Sequence, residues 1–192
     1  MQERVIENWL DRASELSFQM PFCQMLSSEG HTVVHLTRHC GMELGKDVLS
    51  IGADGVPCAY QLKGAGGGRI TLKRWRDELN AQAFDLVVGK IVHPSIDSKQ
   101  HHRAYFVTNG TLDEEVIAAI DRMNVQWADA GMGHLRLRTI VRGELLAKAS
   151  ALENNLAIPT MANAVPEGSR TAFRDAPNTH SERSDAGLLI LQ

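Results

Sequence analysis

"GKDVLSIGADGVPCAYQLKG", residues 45–64, is the stretch whose reading decides the architecture. "KDVLSIG" and "PCAYQLKG" are short and apolar, rich in residues that suit a pleated surface, and predict two strands. "ADG" lies between them, and its Asp54-Gly55 pair predicts a tight hairpin. That pairing brings residues near position 47 opposite residues near 61. Side chains two apart in a strand share a face, so Gln61 and Lys63 project together while Tyr60 and Leu62 take the opposite side. Asp47 joins them across the hairpin.

On the N-terminal side, Ile6, Leu10, Ala13 and Leu16 recur at helical steps, and Phe18, Phe22, Met25 and Leu26 continue the stripe. One helix, or two, is expected before Gly30, with a bend at Pro21. "HTVVHLT", 31–37, is β-branched and predicts a strand, followed by the loop "RHCGMELG". On the C-terminal side, "GAGGG" leads into residues 71–88, where Leu72, Trp75, Leu79, Ala83 and Leu86 trace one face of an amphipathic helix. "RAYFVTNG", 103–110, predicts a buried strand, and Thr111 with Glu114 reads as a capping box for a following helix. "HLRLRTIV", 134–141, alternates as a strand with one polar face, and residues 142–155 have helical spacing. Strands alternating with helices predict an α/β fold.

The chain has 192 residues, 43% hydrophobic and 22% charged, enough for one domain of about 150 residues plus an extra segment. From Ile158 the composition turns to Pro, Asn, Ser, Thr, Arg and Asp until "GLLILQ", so 158–192 is expected to be a poorly ordered tail or linker, with a further domain or a docking partner beyond it. The net charge of −3 gives no global attraction to nucleic acid, although a local basic patch can still bind it. Cys23, Cys40 and Cys58 are odd in number and form no CxxC pair, which suits a reducing compartment. The N-terminal "MQERVIENWLDRASEL" has no apolar run for a signal peptide or membrane span, so a cytoplasmic location and no membrane partner are expected.

A carboxylate and an amide oxygen are hard ligands suited to Mg²⁺, which keeps several waters and takes few protein ligands. Asp47 and Gln61 supply that pair. Lys63 beside them would orient a water and offset charge building on a phosphate. From Lys63 to Arg76 the cations Arg69, Lys73, Arg74 and Arg76 follow with no acid before Asp77, next to glycines that let a phosphate backbone approach; a solvated helix face is the alternative. Arg136 and Arg138 either extend this patch or pair with acids.

These residues carry a resemblance. Asp47, a hairpin and then "YQLKG" resemble the PD-(D/E)XK nuclease core, in the Mrr-like branch where Gln replaces the second acid, and "GMELGKD", 41–47, matches the G-x-E-x-G-x-D lead-in of that branch. The later "FVTNG" strand is similar too, and the resemblance spans roughly residues 10–145. It implies a restriction-endonuclease-like core over 1–157, with a central mixed sheet of about five strands flanked by helices. It also implies that Asp47 and Gln61 hold Mg²⁺ or Mn²⁺ and that Lys63 is catalytic. A first-helix Glu often completes such a site; Glu15 is the candidate, with Gln19 one turn further on. Glu43 is a further ligand or a polar loop residue. The implied activity is metal-dependent hydrolysis of DNA phosphodiester bonds in restriction or antiviral defence. Such domains often work as homodimers or higher oligomers, fused to or associated with an NTPase or sensor domain. The alternative is a non-catalytic nucleic-acid-binding or oligomerisation module of the same fold.

Other chemistries find less support. "GAGGG" is not followed by Gly-Lys-Ser/Thr, so no Walker A loop is present, and no G-x-S-x-G elbow occurs. His31, His35 and His39 are four residues apart, which aligns ligands on a helix but not on the strand expected there, so zinc is not favoured. His101 and His102 are expected in an exposed loop. Trp9, Trp75 and Trp127 are expected to pack in the core.

Overall fold

The computed structural model describes residues 2–37, 45–66 and 68–155. Its sheet is built around the quoted hairpin. β2 (Val48–Ile51) pairs antiparallel with β3 (Pro57–Lys63), Val48 facing Tyr60 and Ile51 facing Pro57. Gly55 turns the chain at φ 78°, and the Asp54 carboxylate accepts the Val56 N–H at 3.2 Å. β1 (Thr32–Leu36) pairs antiparallel with β2, with a bulge between Val33 and His35. On the other side β3 runs parallel to β5 (Arg103–Thr108), which runs parallel to β7 (Leu137–Ile140). The order is β1-β2-β3-β5-β7, a five-stranded mixed sheet flanked by helices. Parallel neighbours need a crossover, and helical segments supply both.

Between β3 and β5, a short β4 (Arg69–Ile70) precedes α3 (Leu72–Arg74), a π-helical turn over Trp75–Leu79, and α4 (Asn80–Val88). Between β5 and β7, β6 (Thr111–Leu112) pairs with β4 and leads into α5 (Glu114–Asp129). Trp75, Leu79, Ala83 and Leu86 meet Val116, Ile120 and Trp127 over the face formed by Leu49, Ala59, Ala104, Phe106 and Leu137. The opposite face, with Val48, Cys58, Tyr60, Leu62, Val107 and Ile140, is covered by α1 (Gln2–Arg12), α2 (Glu15–Ser28) and α6 (Arg142–Asn155). β3 is thus covered on both faces, which explains its nearly continuous apolar character.

Several local expectations change. The N-terminal helix divides at Ala13-Ser14, not at Pro21, because the Ser14 hydroxyl accepts the Ser17 N–H and caps a new helix. Pro21 lies inside α2. The new start resets the helical phase, and Leu16, expected in the core stripe, is 53% exposed. The Thr111–Glu114 capping box is absent, because Thr111 and Leu112 are drawn into pairing with β4 and the cap position falls to Asp113. The Asp113 carboxylate instead meets Arg69 at 3.2 Å. The supposedly polar face of residues 134–141 carries Ile140 into the second core, while Arg138 lies 5.8 Å over the Tyr105 ring. His102 is half-buried and bonds the Leu86 carbonyl through Nε2 at 2.9 Å, contrary to the exposed position expected. The segment 158–192 falls outside the described residues. No described helix is long and apolar enough to cross a membrane.

Candidate metal and nucleic-acid site

Just before β2 begins, Asp47 grips β3 at two points. Its N–H donates to the Tyr60 carbonyl at 2.8 Å, and its Oδ2 accepts the Leu62 N–H at 2.6 Å. The carboxylate takes the place of a strand carbonyl where β2 has not yet begun, and a charged acceptor makes this a strong bond. Asp47 therefore straddles Gln61, the residue between those two anchors. Its own carbonyl accepts the Thr37 N–H at 2.9 Å and the Gln19 amide at 3.4 Å. Gln19, buried in α2, thus braces the backbone of Asp47.

Gln61 is 2% exposed. Leu62 belongs to the core under α2, so strand alternation sends Gln61 to the other face, against α4. There its Nε2 donates to Gln82 Oε1 at 2.9 Å. Its Oε1 is buried with no hydrogen-bond partner among the described residues. A buried amide oxygen without a partner costs roughly 1–3 kcal/mol, and a hard cation is the kind of ligand that would relieve it. Gly45 packs on the nitrogen end of the same amide: a Cβ there would lie 3.0 Å from Nε2, and its φ of 72° also favours glycine.

Lys63 closes β3, half-buried, with its ammonium 3.7 Å from Glu15 Oε1 at the start of α2. Glu15, rather than Gln19, is thus the first-helix residue beside the lysine. Asn109, fully buried at the end of β5, fixes this junction. Its Oδ1 accepts the N–H groups of Ala65 and Gly66 at 2.7 and 3.3 Å, and its Nδ2 donates to the carbonyls of Leu10 and Ala13 at 2.8 Å each. One amide ties the glycine-rich turn after Lys63 to the break between α1 and α2.

The cations that follow divide by role. Arg74 directs both terminal nitrogens to the Gly64 carbonyl at 3.3 Å and meets Glu78 at 3.4 Å, so it braces the turn beyond Lys63. Arg69, its side chain 71% exposed, pairs with Asp113. Lys73 and Arg76 are exposed and form no ion pair among the described residues. Glu43 lies outside the described residues, as do His39 and Cys40. His31 bonds Ser50 Oγ at 3.0 Å and Tyr60 Oη at 3.3 Å, whereas the His35 ring lies 5.8 Å from that of His93, so the two histidines have different neighbours. Among the described residues, no three His, Cys, Asp or Glu side chains gather as a metal cluster.

No motif or spacing in the sequence singles out Gln82, Asn109 or Lys46. Lys46 is 4% exposed, its ammonium 3.5 Å from the Asp85 carbonyl in the last turn of α4, and burial pushes its pKa below the ordinary lysine value. A cation at a helix C-terminus compensates the exposed carbonyls there. Nothing in the spacing of Gln82 separates it from the other polar residues of its helix.

No protein-family model matches the chain, and neither a curated protein nor a solved structure matches it.

Proposed function

We propose that the protein is a metal-dependent endonuclease of the PD-(D/E)XK type, Mrr-like in its Q-x-K pattern, hydrolysing DNA phosphodiester bonds. The observation that carries this reading is the buried Gln61 Oε1, without a hydrogen-bond partner among the described residues, on the residue that lies between the two points at which Asp47 grips β3. Asp47 and Gln61 would hold Mg²⁺ or Mn²⁺, with Glu15 near enough to Lys63 to share the site. Bound there, the ion would supply Lewis acidity at a phosphoryl oxygen. The Lys63 ammonium would orient the attacking water and stabilise negative charge on the phosphate as it develops. Exposed Lys73 and Arg76, with Arg69 beside them, would contact phosphates along the strand. A restriction or antiviral role, homo-oligomers and an associated NTPase or sensor domain belong to the same reading.

The test is direct. With Mg²⁺ or Mn²⁺ the purified protein should nick or linearise supercoiled plasmid, and Lys63→Ala should slow this by about 10²-fold or more, the usual loss for one transition-state donor. Equal cutting by Lys63→Ala would end the assignment of this site. A second reading is a non-catalytic nucleic-acid-binding module of the same fold, favoured by the absence of any cluster of three His, Cys, Asp or Glu side chains among the described residues. That reading expects DNA binding that depends on Lys73 and Arg76, with no cleavage at any metal concentration.

A further inference from the structure

We infer that a cavity at the end of the sheet remote from Lys63 binds a small phosphorylated molecule. The sheet register builds it. Ala104 on β5 pairs with Leu137 on β7, and His101 and His134 stand three residues before them, so continuing the register past the strand starts sets the two histidines side by side. Their rings are 4.0 Å apart. His102 Nε2 meets the Leu86 carbonyl, which pins this loop to the end of α4 and leaves a cavity of about 370 Å³ beside it. Lys90, Lys99, His101, His102 and His134 line the cavity, and no Asp or Glu does.

A lysine ammonium can only donate, and the side chains of Lys90 and Lys99 have no ion pair or hydrogen bond among the described residues. The last carbonyls of α4 do not take up these charges: His102 meets that of Leu86, and the Gly89 N–H and the Lys46 ammonium meet that of Asp85. Asp97, close in sequence, accepts the Lys99 backbone N–H at 2.9 Å and does not line the cavity. The positive field is felt by His102, whose pKa burial lowers most, with the Leu86 carbonyl acting against it and Lys46 and His101 lowering it further. A multiply charged anion rich in acceptor oxygens complements such a wall. Val87, Val88 and Leu135 supply an apolar remainder, and a volume of about 370 Å³ is within the range of small-ligand sites, so the phosphate is carried on a small organic group. β5 runs from this cavity to Thr108, the register partner of Lys63, a strand length of roughly 17 Å. The cavity is thus separate from the proposed cleavage site and does not depend on it.

The test titrates inorganic pyrophosphate, a 5′-mononucleotide and a DNA duplex separately into the full chain, following the ring C–H resonances of His101 and His134. Pyrophosphate and the mononucleotide should each shift both rings to saturation. Lys90→Glu combined with Lys99→Glu should weaken their binding by about 10-fold or more, as loss of a charge-assisted hydrogen bond does. Both lysines are exposed, so the double variant removes charge and leaves the core untouched, which an unchanged His31 ring signal checks. If neither small probe moves the two rings at about 1 mM, or if the double variant binds as the parent does, the cavity is not a phosphate site. If the duplex moves the rings at lower concentration than either small probe, the occupant is nucleic acid and the small-molecule assignment is overturned.

Discussion

The side-chain amide nitrogen of Asn109 lies 2.8 Å from the carbonyl oxygen of Ala13, although 96 residues separate them. Its oxygen meanwhile holds Ala65 and Gly66, so one buried side chain joins β5, the turn after Lys63 and the start of α2. Asn109→Ala would leave several buried backbone groups unpaired. At roughly 1–3 kcal/mol for each unsatisfied group, the loss should reach about 3 kcal/mol in urea unfolding. A change below about 0.5 kcal/mol, the range of ordinary surface substitutions, would refute the clamp.

The ion pair of Lys63 with Glu15 should contribute little to stability. Both side chains are partly exposed, 19% and 42%, and such pairs are worth about 1 kcal/mol at most. Glu15→Gln is expected to shift the urea midpoint only slightly while altering the metal dependence of nicking. A loss of several kcal/mol would mean that the pair is a structural element and not part of a site.

The division of the N-terminal helix at Ser14 has a simple mutational signature. Phe18→Ala should cost about 3–5 kcal/mol, as large-to-small changes in a core do. Leu16→Ala, two residues earlier but exposed, should stay within about 0.5 kcal/mol. Comparable losses at both positions would restore a continuous stripe and contradict the reset of phase.

Acid should weaken the fold through its half-buried histidines. Burial is the largest cause lowering the pKa of both His102 and His31 below the ordinary 6.5. A depressed folded pKa means that the unfolded chain takes up the proton first. The stabilising contribution is therefore complete above pH 6.5 and is lost as pH falls toward the folded pKa. His102→Gln should flatten the fall in unfolding free energy below pH 6.5, leaving the part due to His31. An unchanged slope would remove His102 as a contributor.

Much of the architecture is written in local pattern. The hairpin of β2 and β3 follows from two apolar runs around Asp54-Gly55, and α4 and α6 follow from the spacing of apolar residues. Even the juxtaposition of Asp47 with Gln61 is legible, because antiparallel pairing across a short turn leaves little choice of partner. The failures are equally instructive. Thr111 and Glu114 form a sound capping pattern, but pairing with β4 draws Thr111 into a strand and the cap position falls to Asp113. Leu16 continues a helical stripe in one dimension, yet a single Ser14 cap rotates everything after it.

Sequence by itself determined the alternation of strands and helices and the hairpin, because each depends on residues close together along the chain. Only the tertiary structure decided which amide meets Gln61, which acid meets Lys63 and which residue clamps the turn behind them. Those partners are 21, 48 and 44 positions away, Gln82 from Gln61, Glu15 from Lys63 and Asn109 from Ala65. Contacts at such separations depend on how helices settle onto a sheet, and helical periodicity specifies the face a helix buries but not which polar residue at its rim comes within 3 Å of a strand.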